Sequence, residues 1–586
     1  MSVILGINAF HPDSAACLVI DGELKAAVAE ERVGLRIKHN PAFPSSAIRR
    51  VLSETGVRLR DVTHVAMARD TRANLVAKAR FSLQHPGRAF GAVREHLTRA
   101  RRTGSVLSHL PALLGEPDNC ARFEVVPVEH HLAHIASSYY CSPFESLTAG
   151  FSYDASGDFV SMMAARCEGT KIQVLDRVTL PSSLGIFYTA VCQFIGFDTF
   201  GEEYKVMGLA PYGEDKYPEI MAELVRLDGN GWFSIDPSRF GLQLDQPINA
   251  VDENDRIILG PLYHPDWSSR LGEPRKRTDA LTQREKDLAR SCQVRFEAAA
   301  IHCFNRLHSL VPSPRVAYAG GCALNGVANA RILRDTPFSI PFLQAAASDD
   351  GTCLGAALWA YHNVAGGTKR FTMRHAFWGP DYSEARQRAA VESTAMPVRK
   401  IDDRAQFLDS VAAMVERGLV VGWFQGRSEW GPRALGNRSI LANPTLPQIK
   451  DVINQKIKRR ESFRPFAPSV LKEHVSQYFE QDVASPFMMH VVKFRPEWRD
   501  KLPAVVHVDG TGRLQSVDRE SNELYYDLIS AFARRSGVHM VLNTSFNENE
   551  PIVDTPEQAV DCFLRTDMDA LVVGPYVVTK PGVAAT

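Results

Sequence analysis

No Cys-x-x-Cys pair occurs in this sequence, although it has ten cysteines. They are scattered, mostly in apolar runs such as AACLV and AVCQF. That suits reduced, buried thiols and excludes a disulfide framework or a zinc ribbon. Nowhere do about 18 apolar residues run consecutively, so no transmembrane helix is expected. The opening MSVILGINAF lacks a basic n-region and its apolar run is broken by Asn8, so no signal peptide is expected either. Excess charge of one sign is missing too: 67 Lys and Arg balance 67 Asp and Glu. There is then no field to gather bulk nucleic acid or an anionic membrane. The phosphate loop G-x-x-x-x-G-K-[ST] is absent, which excludes a P-loop ATPase. What remains is a chain of 586 residues, 45% hydrophobic and 23% charged. It is too long for one core and ordinary for a multi-domain cytoplasmic enzyme.

What is present is a repeated pattern. VILGIN, SAACLVI and ELKAAVAEE read as three strands joined by a polar turn and an Asp-Gly hairpin. SLTAGFSYD, FVSMMAARCEG and KIQVLDRVTL repeat that order about 145 residues later. Two copies suggest a duplicated architecture in which each first turn faces a shared cleft. Residues 70–120 are helical and basic, and read as an inserted pair of solvated helices. Gly, Pro and aromatic residues mix around 361–385, which predicts a first domain over 1–365, a linker over 366–390 and a second domain over 391–586. The second alternates strands (LVVGWF, HMVLNTSF, ALVVGPYVV) with helices, an α/β unit.

VPVEHHLAHIASSYY places His130, His131 and His134 on the first turn of an expected helix. Residues four apart share a face, so His130 and His134 can present imidazoles to one point. A zincin needs Glu after the first His, and His131 stands there, so a metalloprotease is excluded. Oxygen donors stand at two strand ends: Asp154 in GFSYDASGD, and Asp349 and Asp350 in ASDDGTCLG. Two imidazoles with two carboxylates suit iron, manganese or zinc, whereas oxygen ligands alone would suit magnesium. A polar helix start and solvated acidic caps are the bland alternatives.

Gly320 and Gly321 in VAYAGGCALNG lie between a strand and a helix, where backbone N–H groups can hold phosphate and where a tight turn is the alternative. GEEYKVMGLAPYG, with Glu203, Lys205 and Tyr212, reads as a loop of low helical and strand propensity. The C-terminal part gathers Arg433, Arg438, Lys456, Lys458 and Arg464 among Pro and Phe; Arg513, Asn543, Ser545 and Asn547 add donors. Guanidinium forks match phosphate or carboxylate oxygens, so an anion pocket is expected there rather than a solvated face. Nucleic acid would want stacking aromatics beside its bases.

Taken together, these motifs resemble the NodU/CmcH-type O-carbamoyltransferases nearly end to end. The matching stretches are GINAFHPDSAACLVIDG, EERVGLRIKHNPAFP, EHHLAHIASSYY, YDASGD, GEEYKVMGLAPYG, GGCALNGVAN, DDGTCLGAAL, GPRALGNRSILANP, RRESFRPFAPS and LNTSFNENEPIV. The resemblance implies an α/β fold: a duplicated N-terminal domain of the actin-like/sugar-kinase superfold, then a YrdC-like domain. It implies that the YrdC-like domain makes carbamoyladenylate from carbamoyl phosphate and ATP, and that the N-terminal domain passes the carbamoyl group to a hydroxyl beside a metal.

Carried over by motif, the metal ligands are His130, His134, Asp154 and Asp349. The metal is Fe2+, or Zn2+ or Mn2+, with Mg2+ accompanying ATP. His130, His134, Lys458 and Arg464 carry the catalytic roles. Arg433, Arg438, Lys458, Arg464, Arg513, Asn543 and Ser545 meet carbamoyl phosphate or nucleotide, while Lys205, Gly320, Gly321 and Asn325 meet nucleotide in the N-terminal domain. The first loop reads FHPDSAA where many relatives read GHDASAA, and His11, Asp13 and Ser14 are its acceptor-pocket candidates. The acceptor is a hydroxyl-bearing small molecule: an antibiotic, another secondary metabolite or an oligosaccharide signal. Threonylcarbamoyl or hydrogenase-maturation transfer is the nearest alternative, and a non-catalytic actin-like ATP-binding module the more distant one.

Overall fold

The computed structural model describes residues 1–84, 109–117, 122–241, 250–251, 257–461 and 463–583. Most of the basic stretch 70–120 lies outside them; within it a helix spans Leu75–Gln84. The chain forms two compact units, Met1–Met373 and Arg374–Thr586.

The first unit holds two five-stranded sheets of one design. In the first, β1 (Val3–Asn8), β2 (Ala15–Ile20) and β3 (Glu23–Ala29) form an antiparallel meander. On the other side of β1, β4 (His64–Met67) and β5 (Glu124–Pro127) continue in parallel. The order is β3-β2-β1-β4-β5. In the second, β6 (Thr148–Gly157), β7 (Val160–Glu168) and β8 (Lys171–Thr179) make the meander. The strands Arg315–Ala319 and Ile340–Phe342 then extend it in parallel from β6. Strand order and direction match element for element, so the duplication read from the two meanders holds, as does the actin-like arrangement.

Two helices lie back to back between these sheets. His130–Tyr139 packs on β6, β7 and Arg315–Ala319, and Thr352–Asn363 packs on β1, β2 and β4. Gly355 lets them touch: a Cβ there would sit 1.8 Å from the carbonyl oxygen of Ala133. Val3, Leu5 and Ile7 of β1 turn to the other face, into a core with Ala47, Ile48 and Val51 of the helix Ser45–Thr55. Sheets buried on both faces need near-continuous apolar strands; β1 is buried throughout.

GEEYKVMGLAPYG departs from expectation. Glu203–Leu209 is an α-helix continued by a 3₁₀ turn, Ala210–Tyr212. Val206, Met207 and Leu209 are buried, and the helix packs on the long helix Gln283–Leu310. Tertiary burial overrides the weak local preference of a Gly- and Pro-containing stretch.

The second unit is built on a nine-stranded mixed sheet. At its centre, Arg438–Ala442 and Met540–Ser545 pair antiparallel, and Met540–Ser545 also pairs with Ala467–Leu471. Thr511–Val517 and His490–Lys493 complete that side. No helix among the described residues is long and apolar enough to cross a membrane.

Candidate metal centre and anion site

The histidine turn starts the helix His130–Tyr139, where the backbone N–H of His130 donates to Asp158 Oδ2 at 3.0 Å. His131 faces the sheet: its ring bonds Ser152 Oγ and the Val160 carbonyl, both at 2.9 Å, and burial holds its pKa well below the ordinary value. It fastens helix to sheet as a neutral ring. His130 and His134 turn the other way, and their Nε2 atoms stand 3.0 Å apart.

The end of β6 and the turn before Thr352 bring in the oxygens. His134 Nε2 lies 3.1 Å from Asp154 Oδ2 and 3.3 Å from Asp349 Oδ1; His130 Nε2 lies 3.4 Å from Asp349 Oδ1 and 3.9 Å from Asp154 Oδ2. One ligand atom from each of the four residues lies within 4.8 Å of the others. Neighbouring ligands at right angles on ~2.1 Å bonds are about 3.0 Å apart, so the spacing suits one cation. Asp349 Oδ1 is buried with no hydrogen-bond partner among the described residues, a costly state that a cation would relieve. Burial opposes a charge on His130, but Asp349 and Asp154 outweigh it and raise its pKa to about 10. The donor set fits a borderline metal.

Around these four the structure adds residues. His11 Nδ1 is hydrogen-bonded to Asp349 Oδ2, and its ring centroid lies 4.8 Å from that of His130. It reaches there on a first turn in which both Phe10 and Asp13 have φ of 58°, a conformation that side chains rarely adopt outside functional loops. Asp13 is engaged by His39 Nδ1 at 2.7 Å and Ser348 Oγ at 3.3 Å. Ser14 is buried, with its hydroxyl donating to the His11 carbonyl. Asp350 stays outside the metal set: burial, then Asp13, Glu31 and Asp349, push its pKa far up. Gly157, which sequence reasoning passed over, makes room for His130. The Asp158 cap was missed as well, although the ASGD turn held both.

The glycine pair abuts the same strand end. A Cβ on Gly320, whose φ is 107°, would meet the Tyr153 carbonyl at 2.1 Å, and one on Gly321 would meet Asp154 Oδ1 at 2.9 Å. Asn325 caps the helix Gly326–Asp335 through Ala328 N and exchanges amide bonds with Gln293. Lys205 is buried, paired with Glu202 at 2.7 Å and set over the Phe197 ring.

In the second unit the expected cationic group divides. The guanidiniums of Arg433, Arg464 and Arg460 all bear on Arg513; burial first, then these three charges, hold its pKa well below the ordinary value. Arg513 has no carboxylate or hydrogen-bond partner for its side chain among the described residues. Arg438 stands apart: it is fully buried over the Phe424 ring, donating to the carbonyls of Gln425, Asn437 and Asp554. Lys456 is exposed. Lys458 is 1% exposed, with Nζ donating to Ser545 O, Ser545 Oγ, Asn547 O and Asn547 Oδ1. Asn543 is buried, donating to Ser469 Oγ at 3.0 Å. Spacing alone could not sort these residues, because eight cations between Arg433 and Arg464 leave the turns between them undetermined.

Known proteins match this architecture. The family model described as carbamoyltransferase N-terminus matches residues 3–358, and that described as carbamoyltransferase C-terminus matches 412–580. An uncharacterized protein from Synechocystis sp. is 35% identical over 615 residues, covering 99% of this chain and 97% of its own. Nodulation protein NolNO from Sinorhizobium fredii is 37% identical over 583 residues, covering 98% of this chain and 80% of its own. Among solved structures, HypF of T. kodakarensis is 12% identical, covers 63% of this chain and 48% of its own, and has a TM-score of 0.29.

Proposed function

The chain belongs to the carbamoyltransferase family, and on that premise we propose that it is an ATP-dependent O-carbamoyltransferase acting in two steps. In the first, the C-terminal unit converts carbamoyl phosphate, ATP and one water into carbamoyladenylate, phosphate and pyrophosphate. In the second, the N-terminal unit transfers the carbamoyl group to the hydroxyl of a small molecule, releasing AMP. The observation that carries this reading is that each unit has its own site of different chemistry: a guanidinium cluster around Arg513 in one, a two-histidine, two-carboxylate set in the other.

Carbamoyl phosphate and ATP are both anionic, so their meeting needs repulsion offset before the reacting oxygen approaches the α-phosphorus. Arg433, Arg464 and Arg513 supply fixed positive charge in a partly buried setting, where it acts more strongly than in water. Lys458, Ser545 and Asn547 form one hydrogen-bonded group, which would hold the adjoining strand end rigid beneath the substrates.

In the N-terminal unit, His130, His134, Asp154 and Asp349 would hold a cation, iron in this reading. Such an ion supplies Lewis acidity toward the carbamoyl carbonyl or the departing phosphate. His11 is oriented by Asp349 through Nδ1, which leaves Nε2 to take the proton that the acceptor hydroxyl loses on attack. The Gly320–Gly321 turn, beside Asp154, would admit the nucleotide phosphate close to the backbone. The acceptor is an antibiotic, another secondary metabolite or an oligosaccharide signal with a free hydroxyl.

The test is to incubate the protein with carbamoyl phosphate and ATP and to measure pyrophosphate. Release that depends on carbamoyl phosphate is expected. No release, or release indifferent to carbamoyl phosphate, would leave only nucleotide binding and sink the two-step reading. With a candidate acceptor present, a product heavier by one carbamoyl group is expected by mass spectrometry.

A further inference from the structure

The segment EWGPRALGNR, residues 429–438, is neither helix nor strand before Arg438, yet it folds around one side chain. Glu429 is 3% exposed, and its Oε1 accepts the backbone N–H groups of Leu435 at 2.7 Å, Asn437 at 2.8 Å and Arg438 at 3.1 Å. At Gly436, whose φ is 112°, a Cβ would meet the Tyr525 ring at 2.3 Å, so only glycine fits. Glu429 Oε2 is buried with no hydrogen-bond partner among the described residues. Such an atom costs stability, so a fold that keeps it has a reason other than stability.

The same turn is held from the sheet. Gln515 Nε2 donates to the Leu435 carbonyl at 2.9 Å, Asn543 Nδ2 to the Ala434 carbonyl at 3.2 Å, and Gly436 N to Ser439 Oγ at 3.1 Å. Successive side chains of a strand alternate between its faces. Gln515 therefore shares a face with Arg513, and Asn543 shares one with Ser545. Ser439 stands opposite Ser545 in the ladder, and Asn543 Nδ2 also bonds Gln515 Oε1 at 3.1 Å, so this is one common face. The backbone of 434–436 lies against it, and Arg433 is the next residue along. Strand register thus brings Arg433 to the side of the sheet that carries Arg513 and Ser545. Asn543 meanwhile directs its amide N–H groups to the turn and to its neighbours on the sheet.

We propose that Glu429 is a positioning residue of the C-terminal anion site: it fixes from within the turn that carries Arg433, while Gln515 and Asn543 fix that turn from the sheet. The inference rests on the two-step reading above and adds residues that act through Arg433 rather than on the ligand. A guanidinium fork meets an oxyanion bidentately in a narrow range of orientations. A turn tied at Ala434, Leu435, Gly436, Asn437 and Arg438 is ordered before the ligand arrives, which lowers the cost of binding.

The experiment compares the full-length wild type with Glu429→Ala, Glu429→Gln, Arg433→Ala and the double variant Glu429→Ala, Arg433→Ala. Carbamoyl phosphate-dependent pyrophosphate release is measured, with the KM of each substrate taken separately. Glu429→Ala should raise the KM of the substrate that Arg433→Ala affects by about tenfold, within the scale of one charge-assisted hydrogen bond. The other KM should move less than about threefold. Glu429→Gln keeps an acceptor oxygen and should recover part of the loss; it also carries the comparison if Glu429→Ala does not fold. The double variant should be no worse than Arg433→Ala by more than about threefold, because nothing is left to position. Losses that multiply in the double variant would overturn the inference, since Glu429 would then act independently of Arg433. Hydrogen exchange gives a readout that needs no activity: amides of 435–438 should exchange at least about tenfold faster in Glu429→Ala and stay unchanged in Arg433→Ala. Unchanged exchange in Glu429→Ala would also overturn the inference. A wild type with no carbamoyl phosphate-dependent release, but with the expected exchange pattern, would instead overturn the two-step reading.

Discussion

Gly157 and His130 share one space. A methyl group at position 157 would lie 2.0 Å from His130 Cδ2 and 2.2 Å from Cγ, far inside any real contact. Gly157→Ala must therefore displace the imidazole from its place in the metal set. The expected result is a several-fold drop in bound metal, with an overpacking cost of about 1–3 kcal/mol in unfolding free energy. Metal analysis beside a denaturant curve checks both. Full metal occupancy in the variant would show that His130 is not placed by this contact.

Purified protein should carry about one transition-metal ion per chain, most readily iron. Replacing His130 and His134 together by Ala leaves two carboxylates, which are poor ligands for a borderline metal. Metal content of the double variant should fall close to zero, as read by elemental analysis after exhaustive dialysis. Retention of a full equivalent would refute the assignment.

The two half-reactions should separate by mutation. Arg464→Ala removes a charge-assisted contact to the anion site and should slow pyrophosphate release by roughly 30- to 1,000-fold. His134→Ala should leave that release intact and abolish carbamoylation of the acceptor. Synthetic carbamoyladenylate should rescue Arg464→Ala in part and His134→Ala not at all. The opposite pattern would reverse the roles of the two units.

Acid should weaken the C-terminal unit through His490. Its ring is 3% exposed, and burial lowers its pKa to about 4. The unfolded state, with a pKa near 6.5, then binds more protons than the folded one between those values. The stability associated with the neutral ring is fully present above about pH 6.5 and is lost as pH falls toward 4. At pH 5 the loss is about 2 kcal/mol. Urea midpoints from pH 7 to 5 should fall less steeply in His490→Phe than in the wild type. Parallel slopes would show that other groups govern the acid response.

Much of this protein was legible in local pattern. The two meanders showed themselves because strand alternation and hairpin turns are short-range signals, and their equivalence as sheets followed. The pair His130 and His134 was legible because helical periodicity alone puts positions four apart on one face. The placement of Asp154 and Asp349 beside them came through the family resemblance. GEEYKVMGLAPYG was misread as a loop, because only its packing on Gln283–Leu310 makes it a helix.

What only the tertiary structure decided is which side of a residue faces the site. His131 sits between two candidate ligands in sequence, yet is turned to Ser152 and Val160. Arg438 and Arg460 are both cations of one basic stretch. One is buried among backbone carbonyls; the other is held at Nε by the buried Asn454 and lies over the Phe466 ring. Sequence determined which chemistry was available and its spacing along the chain, because periodicity and residue type are local properties. Convergence was settled by long-range packing, because the direction of a side chain across a turn depends on what the far side of the fold presses against it.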